Sequence, residues 1–534
     1  MKGRVASALV LAAAALLLVS CAGPTPQKDN DVFVAIYAEP SSLSFVGNTD
    51  LNSAQLASMM SDGLVGYDAN GQYVPLVART WEISPDGTIV TFHLREGVLW
   101  HDGVAVTSRD VAYTVEKVRD PATQARSWVS QFTNVAAVEA PDDLTVIVRY
   151  AKSYGDALEP WRVPLVPQHV AAKDADFLNG TFSRHPIGCG PFRFTGYDKG
   201  QRVVLDAFDR YWGGRPKIDR LVFKIVSSER TAYESLLLGQ LDQLAVTPDL
   251  WRDSLTAPAA ARLVRFVYFG FRAWKIDWNQ TEATPFFHDK RVRRALILAL
   301  DRNRFVEAVA AGLARPGVSS YPPESPWADP SITAIPFDRP ESARLLDEAG
   351  WRRPASGGLR EKQGRPFSFT LLFTAGSQEI SDRVAAWMQQ SLAEVGIEMK
   401  IEKVAAEAFR QRRKSRDFDA AMGTLAFDTT PDRFDLYHST ARDGGFNFGG
   451  FSDTEVDRLL EAGRTTIDPA ARREIYNRLQ HRIDDLQPVA FLFQFAQPVL
   501  RDPDLLGVVP SVVGFYQFTP GPRAWYWSSA HVRR

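Results

Sequence analysis

The 534-residue sequence contains little cysteine, almost no net charge and few long apolar runs. Its two cysteines, Cys21 and Cys189, are too few for a disulfide framework or a multi-cysteine metal site. Lysine and arginine total 62 against 63 aspartate and glutamate residues, so the basic excess typical of nucleic-acid-binding proteins is missing. Beyond the N-terminus, no run approaches the roughly 18 apolar residues of a membrane-spanning helix. We therefore predict a large protein that lies outside the membrane and has no nucleic-acid partner.

Catalytic and cofactor motifs are missing as well. The chain has no Gly-x-Ser-x-Gly elbow, no His-Glu-x-x-His, no Walker phosphate loop and no Cys-x-x-Cys. Its eight histidines are scattered without the spacing of metal ligands, and the pair His101-Asp102 has no accompanying nucleophile. We therefore predict no catalytic residue, no metal site and no cofactor, which argues against a hydrolase that uses a cleft.

Apolar and aromatic side chains are plentiful. The sequence contains 13 Trp, 15 Tyr and 32 Phe, and hydrophobic residues make up 45% of it. A disordered chain lacks this material for hydrophobic cores. At roughly 100–200 residues per domain, the length predicts two to four domains.

The N-terminal segment is predicted to direct the protein out of the cytoplasm. Two positive charges precede an apolar run from Val5 to Val19, which is too short for a membrane span and typical of a secretion signal. The residues Leu18-Val19-Ser20-Cys21 resemble the bacterial lipobox, in which the cysteine is acylated and becomes the new N-terminus. We predict a signal peptide over 1–20, a lipidated Cys21 with a tether over 21–31, and a location on the cell envelope. The alternative is an ordinary signal peptide with an incidental cysteine.

The rest of the chain alternates strand-like and helix-like segments, which indicates an α/β protein. Alternating apolar residues predict strands over 367–373 and 397–401, and an apolar stripe at helical spacing predicts a helix over 384–395 between them. Such a unit is parallel, and the ligand crevice of such sheets lies beyond the carboxyl ends of the strands. A further helix is predicted over 290–300, with Asp289 as its N-cap.

Turn and cap residues predict several other elements. Pro85-Asp86-Gly87 predicts a hairpin turn within 80–93, because proline presets φ and glycine accepts a positive φ. Thr107 is a predicted N-cap for the helix that carries Asp110. The Pro-rich stretch 316–340 is the best candidate for a linker or a hinge-adjacent loop.

Seven short segments form a series along the chain. They are 92–103 (FHLREGVLWHDG), 188–192 (GCGPF), 211–214 (YWGG), 239–242 (GQLD), 286–302 (FFHDKRVRRALILALDR), 345–351 (LLDEAGW) and 447–452 (NFGGFS). Together and in this order they resemble family 5 of the bacterial extracellular solute-binding proteins, the peptide- and nickel-binding receptors of ABC importers. Cys189 stands where the family's Gly-Thr-Gly-Pro-Phe turn has threonine, and it is expected to be buried there.

The resemblance implies a type II periplasmic-binding-protein fold, with two lobes around a ligand cleft and an additional family-specific domain. Lobe I is predicted to comprise 32–63, 179–272 and 490–534. The additional domain is predicted over 64–178 and lobe II over 273–489. Receptors of this kind close around their solute and bury most of it.

The ligand-binding positions depart from the family pattern. Its peptide receptors carry a Gly-Trp-x-x-Asp segment in lobe II, and the aspartate pairs with the terminal ammonium of the peptide. In the corresponding stretch, Thr424 replaces the tryptophan and Phe427 occupies the aspartate position. Asp428 can take that role only if the strand slips by one residue, and Asp50 is the alternative anchor for a cation. The other expected cleft positions are Thr49, Trp128, Leu425 and Asn447.

The resemblance implies a monomeric substrate-binding lipoprotein that captures a solute, with a peptide as the first candidate, and delivers it to an ABC permease and its ATPase. Two alternatives stay open at this stage. In the first, the protein is a receptor for another solute, such as a sugar or a metal chelate. In the second, it is a non-transport envelope receptor or chaperone that retains the binding fold.

Overall fold

The structure of the protein is a computed structural model that describes residues 30–47, 50–125, 128–174, 176–310, 312–375 and 379–529. The predicted signal peptide and Cys21 lie outside these ranges. Within them, no helix combines the length and the apolar character needed to cross a bilayer. The names lobe I, additional domain and lobe II keep their predicted residue ranges below, and those boundaries stay a prediction.

Twenty-two strands are assigned in the described residues. In chain order they are β1 Asp31–Ile36, β2 Val65–Tyr67, β3 Tyr73–Pro75, β4 Ala78–Ile83, β5 Ile89–Leu94, β6 Val135–Asp142, β7 Thr145–Tyr150, β8 Phe192–Asp198, β9 Arg202–Ala207, β10 Arg220–Ile225, β11 Gln243–Ala245, β12 Val264–Phe269, β13 Arg272–Trp278, β14 Ala314–Pro316, β15 Glu361–Lys362, β16 Arg365–Pro366, β17 Ser368–Thr374, β18 Glu398–Val404, β19 Ala420–Ala426, β20 Val489–Arg501, β21 Leu505–Leu506 and β22 Tyr526–Trp527.

The α-helices of the same ranges lie mostly between these strands. In chain order they are α1 Leu51–Met60, α2 Ser108–Arg119, α3 Gln168–Ala171, α4 Thr181–Arg184, α5 Glu229–Leu237, α6 Pro248–Thr256, α7 Lys290–Leu298, α8 Arg302–Ala308, α9 Arg339–Glu348, α10 Glu379–Glu394, α11 Ala406–Ser415, α12 Phe434–Tyr437, α13 Thr454–Thr465 and α14 Pro469–Leu486. The architecture is α/β, as predicted.

One mixed sheet of twelve strands runs through lobe I and lobe II. Its order is β18-β17-β19-β13-β20-β11-β1-β10-β9-β8, and β12 and β14 also pair with β20. The strands of the predicted strand–helix–strand unit, β17 and β18, are parallel neighbours from Ser368 opposite Glu398 to Thr374 opposite Val404. In lobe I the parallel neighbours are β11, β1 and β10.

Strand β20 is the element that both lobes share. It is 13 residues long. Its first half pairs with β13 of lobe II, and its second half pairs with β11 and β12 of lobe I. Consecutive strands β12 and β13 cross between the lobes nearby, separated only by Gly270 and Phe271. The chain thus passes between the lobes along paired strands, which suits a hinge because the connection is short and hydrogen-bonded.

The additional domain contains an antiparallel four-stranded sheet, in the order β4-β5-β7-β6. A single hydrophobic core joins this domain to lobe I. Side chains from both contribute to that core, among them Val32, Phe45, Phe92, Trp100, Phe132, Trp161 and Phe192. The core of lobe II is formed by separate clusters on the two faces of its part of the sheet. The apolar packing therefore unites lobe I with the additional domain and leaves lobe II as a second body.

Two of the family-like segments meet at the joint between lobe I and the additional domain. The Gly188 amide donates to His101 Nδ1 at 3.1 Å, so Nε2 carries the proton and donates to the Gly190 carbonyl at 3.1 Å. Burial lowers the pKa of His101 to about 4. A Cβ on residue 188 would lie 1.9 Å from the Met60 carbonyl oxygen, which only glycine avoids. Cys189 is fully buried in this turn, as expected.

Local sequence signals correspond to the elements that form. Asp289 caps α7 by accepting the Arg291 amide at 2.8 Å. The hairpin turn between β4 and β5 has Gly87 at a φ of +67°. Helix α2 begins after Thr107, whose amide donates to Asp110 Oδ2 at 2.9 Å. The stretch 316–340 packs within lobe II, where the buried Tyr321 donates to the Pro431 carbonyl at 2.6 Å.

Candidate functional site

One cavity lies between lobe I and the additional domain. Its empty space amounts to about 800 Å³, part of which is open solvent. Six aromatic side chains line it, and charges of both signs accompany them. The lining includes Phe45, Tyr67, Trp128, Tyr211, Tyr516 and Phe518, together with Asp62, Arg162 and Arg523. A wall of this kind can hold a molecule that has both apolar and ionic parts.

Asp62 forms the acidic part of the wall. It follows helix α1 and accepts hydrogen bonds from Tyr211 Oη at 2.8 Å and Trp212 Nε1 at 2.9 Å. Burial raises the pKa of Asp62 to about 6, although these two bonds act in the opposite direction. Both donors come from the Tyr-Trp-Gly-Gly segment, so this conspicuous sequence motif holds the cavity wall in place.

A second cluster, formed by the additional domain, surrounds Glu159. The hydroxyls of Tyr67 and Tyr73 both donate to this carboxylate, the latter at 2.7 Å, and the Arg162 guanidinium pairs with it. The same guanidinium lies 3.9 Å from the centre of the Tyr67 ring. Burial raises the pKa of Glu159, and the nearby charge of Asp428 adds to that shift. Arg162 is thus the group of this cluster that both carries a positive charge and faces the cavity.

Lobe II approaches this wall with the segment that follows β19. Side chains alternate along β19, with Thr424 and Ala426 exposed and Leu425 half-buried. Phe427 continues the inward series and is buried in a lobe II core, whereas Asp428 is exposed. The Asp428 carboxylate makes no hydrogen bond or ion pair with any residue that the structure describes. It stands at the carboxyl end of a sheet strand, where a ligand crevice was predicted.

Arg433 holds this segment in shape. Its buried guanidinium donates to the carbonyl oxygens of Thr430 and Asp432, both at 2.8 Å, and to that of Asp428 at 3.3 Å. It also donates to the Ser320 carbonyl at 3.1 Å. Thr429, in the same segment, packs against the additional domain. A Cβ built on Gly71 of that domain would lie 2.9 Å from the Thr429 methyl group. The orientation of Asp428 therefore depends on a side chain five positions away.

The predicted ligand-binding residues do not all lie at the cavity. Trp128 lines the cavity. Asp50 is the N-cap of α1, and its carboxylate accepts bonds from the amides and hydroxyls of Ser41 and Ser53, so hydrogen bonds within the chain already engage it. These bonds lower the pKa of Asp50 against the effect of its burial.

The remaining predicted positions lie elsewhere. Asn447 is buried, and its amide donates to the His438 and Phe451 carbonyls and accepts the Phe451 amide. Leu425 packs on the inner face of β19 beside Phe427. Thr49 lies outside the described residues. The roles of all seven ligand-binding positions stay a prediction.

Several cavity residues were not predicted from the sequence. Tyr67 and Arg162 stand in segments without any polar or aromatic pattern that marks a site. Tyr516 and Phe518 are different, because the aromatic-rich run Phe515-Tyr516-Gln517-Phe518 was a usable signal. Among the residues that the structure describes, no group of three His, Cys, Asp or Glu side chains is placed to hold a metal ion.

Several known proteins are similar to this chain in sequence. A family model described as "Bacterial extracellular solute-binding proteins, family 5 Middle" matches residues 72–447. Protein XP55 of Streptomyces lividans is 32% identical over 489 residues, which cover 89% of this chain and 86% of that protein. The oligopeptide-binding protein AppA of Bacillus subtilis is 28% identical over 510 residues, or 91% of this chain and 92% of AppA.

Solved structures share the fold. AppA of Bacillus subtilis in complex with a nonapeptide superposes with a TM-score of 0.72 at 24% identity, covering 95% of this chain and 100% of that one. NikZ of Campylobacter jejuni in complex with Ni(L-His) gives a TM-score of 0.74 at 22% identity, covering 93% of this chain and 99% of that one. At these identities the likeness establishes the fold alone.

Proposed function

Because the chain belongs to family 5 of the bacterial extracellular solute-binding proteins, we propose that it is the solute receptor of an ABC importer and that its ligand is a peptide. The receptor would close lobe II over the cavity and deliver the loaded form, as a monomer, to a membrane permease and its ATPase. No step of this function is catalytic.

The observation that carries the peptide assignment is the composition of the cavity wall. Six aromatic rings provide apolar surface for side chains, while Arg162 and Asp62 supply charges of opposite sign. A zwitterionic chain with mixed side chains matches this wall better than a sugar, whose many hydroxyls need polar partners. A relative with similar coverage, AppA, is named for oligopeptide binding.

Asp428 is the proposed partner of the peptide's terminal ammonium. Its carboxylate is exposed on the lobe II side and makes no bond of its own within the described chain. Phe427 occupies the position of the family's aspartate but points into a core. A charge-assisted bond in a closed cleft contributes roughly 1.5–3 kcal/mol. Asp428 would therefore supply a substantial part of the affinity for a free N-terminus.

The proposal also includes export and lipid anchoring through Cys21. The support is the apolar run that ends in Leu-Val-Ser-Cys, followed by a tether without apolar periodicity. Incorporation of labelled palmitate into the full-length protein in a bacterial host tests this part. Incorporation that persists in a Cys21→Ala variant would show that the cysteine is not the attachment point.

The ligand class is tested on the mature chain without its lipidated residue. The purified protein is mixed with a pool of peptides of mixed length, and melting temperature and native mass spectrometry report stabilised and retained species. Sugars and the nickel–histidine complex are run in parallel. Stabilisation by peptides alone supports the proposal, whereas stabilisation by one of the other two classes only would replace the ligand assignment.

A variant pair tests the proposed anchor. Asp428→Asn should weaken binding of a retained peptide by tenfold or more, in line with the loss of a charge-assisted bond. Asp443→Asn, at an exposed lobe II aspartate, serves as the matched control. N-terminal acetylation of the peptide should weaken binding to the wild type but have little further effect on Asp428→Asn. Equal losses on acetylation in both proteins would place the ammonium elsewhere.

A further inference from the structure

The additional domain contacts lobe II through a small polar surface, which we call the clasp. On one side the clasp consists of residues 153–156, and on the other of residues 463–472. The Gly155 amide donates to the Arg464 carbonyl at 2.6 Å, and Ser153 Oγ donates to the Thr465 carbonyl at 2.7 Å. Beside them, the β4–β5 turn touches Ile467, since a Cβ on Gly87 would lie 2.4 Å from its Cδ1.

An ion pair lies at the centre of the clasp. Arg472 Nη2 is 2.6 Å from Asp156 Oδ2, and the exposed fractions of the two side chains are 6% and 4%. The guanidinium also donates from Nη1 to the Gly155 carbonyl at 2.7 Å and from Nε to the Gly463 carbonyl at 2.9 Å. One arginine of lobe II thus makes two contacts with the additional domain and one with its own lobe.

The chemistry of the clasp differs from that of the joint on the other side of the additional domain. A continuous apolar core joins the additional domain to lobe I. Its contacts with lobe II are mainly hydrogen bonds and one ion pair, with small apolar contacts at Thr429 and Ile467. Apolar cores do not separate without a large exposure of surface, but polar contacts regain water when they part. Opening about the strands near Gly270 would therefore separate the clasp and leave the joint intact.

We propose that the clasp holds the closed form of the receptor and that Asp156 and Arg472 set ligand affinity without touching the ligand. This inference rests on the proposed function, because it assumes that binding and lobe closure are linked. It also assigns a role to the additional domain, which acts as the counter-surface on which lobe II closes.

The effect of a substitution follows from the burial of the pair. In the closed form each charge has lost its water and depends on its partner, while in the open form both are hydrated. Removing one partner therefore penalises the closed form strongly, because it leaves a buried charge unpaired. Removing both partners penalises it much less. The ligand's own contacts are unchanged in every case, so the loss appears in the closure equilibrium.

The experiment combines X-ray scattering with peptide titration. The radius of gyration of the mature chain is measured without peptide and with increasing concentrations of the mixed-length peptide pool, and the value calculated for the present structure is the closed reference. The proteins are the wild type, Asp156→Asn, Arg472→Gln, Arg472→Lys and the double variant Asp156→Asn/Arg472→Gln. Arg473→Gln, the exposed neighbour on the same helix, is the matched control. Circular dichroism verifies that each variant is folded.

The clasp predicts that each charge-removing single variant is more open without peptide, or needs at least tenfold more pool to reach the closed radius. The double variant should recover most of that loss. In both measurements Arg472→Lys should lie between the double variant and the wild type. Arg473→Gln should match the wild type. If Asp156→Asn and Arg472→Gln match Arg473→Gln in both measurements, the proposal is wrong.

The outcomes separate the clasp from the proposed function. If no peptide changes the wild type but the single variants are more open than Arg473→Gln, the clasp stands and the peptide assignment fails. If peptides bind and the single variants close like the control, the clasp fails and the assignment stands. A wild type that shows no closed population with or without peptide also overturns the clasp.

Discussion

His101 should make the protein lose stability in mild acid, and the structure fixes the direction of the effect. Its Nδ1 accepts the Gly188 amide and its Nε2 donates to the Gly190 carbonyl, so the folded protein requires the neutral ring. A proton on Nδ1 would face an amide hydrogen. Burial accordingly lowers the pKa of His101 to about 4, from an ordinary value of 6.5.

The magnitude follows from linkage. Above the unfolded pKa neither state binds the proton, and the contribution of His101 to stability is fully present. As the pH falls from 6.5 towards 4, the unfolded chain binds a proton that the folded chain does not, and the free energy of unfolding decreases by about 1.4 kcal/mol per pH unit. The total loss is about 3 kcal/mol and levels off below the folded pKa.

The assay compares the wild type with His101→Gln, whose side chain does not titrate. Urea unfolding followed by tryptophan fluorescence gives the free energy of unfolding between about pH 7.5 and pH 4. The difference between the two proteins should shrink by about 3 kcal/mol over that interval.

The comparison with a variant is needed because Asp62 acts in the opposite direction. Burial raises the pKa of Asp62 to about 6, so the folded protein gains stability when this carboxyl binds a proton. The effect is present in both proteins and cancels in their difference. If the curves of the wild type and His101→Gln stay parallel from neutral pH to about pH 4, the neutral-ring argument is refuted.

Three further predictions concern buried groups. Asp277→Asn should lower the free energy of unfolding, measured in urea, by about 3–5 kcal/mol, because it leaves the buried Lys275 and Arg413 without their shared carboxylate. Asp485→Asn, at an exposed ion pair, should change it by less than about 1 kcal/mol. Cys189 is fully buried, which raises its pKa, so a thiol reagent should label the mature chain without Cys21 only after denaturation, and labelling at native conditions would contradict the burial. Gly188→Ala should destabilise the fold by about 3 kcal/mol or more on thermal unfolding, since the added methyl meets the Met60 carbonyl, and an unchanged melting temperature would show that this turn is looser than described.

Local chemistry was the part of the fold that sequence reasoning could predict. The cap at Asp289 and the turn at Gly87 depend on interactions within a few residues, and these are visible in a single sequence. The pairing of β11 with β20 joins residues 243–245 to residues 499–501. Such a pairing depends on which strands meet across the whole chain, and no local pattern specifies it.

The candidate site was predictable in part, and Asp50 shows why. Its place in the family resemblance makes it a candidate anchor for a cation. Its sequence context, with Ser53 three positions later at the start of α1, is also that of a helix cap. Trp128 came from the same resemblance and lines the cavity. Tyr67 and Arg162 were missed because their place in the wall depends on packing between distant segments.

The central position of β20 has a consequence for how the molecule is made. Four strands, β11, β12, β13 and β14, pair with it, and within the described chain the two halves of the large sheet meet only through it. Its residues follow those of all four partners in the chain, so these strands cannot find their common partner before residues 489–501 are synthesised. Pairings of such large sequence separation form slowly. A nascent chain therefore lacks its completed sheet until β20 is available, which suits the proposed export of a chain whose lobes have not yet assembled.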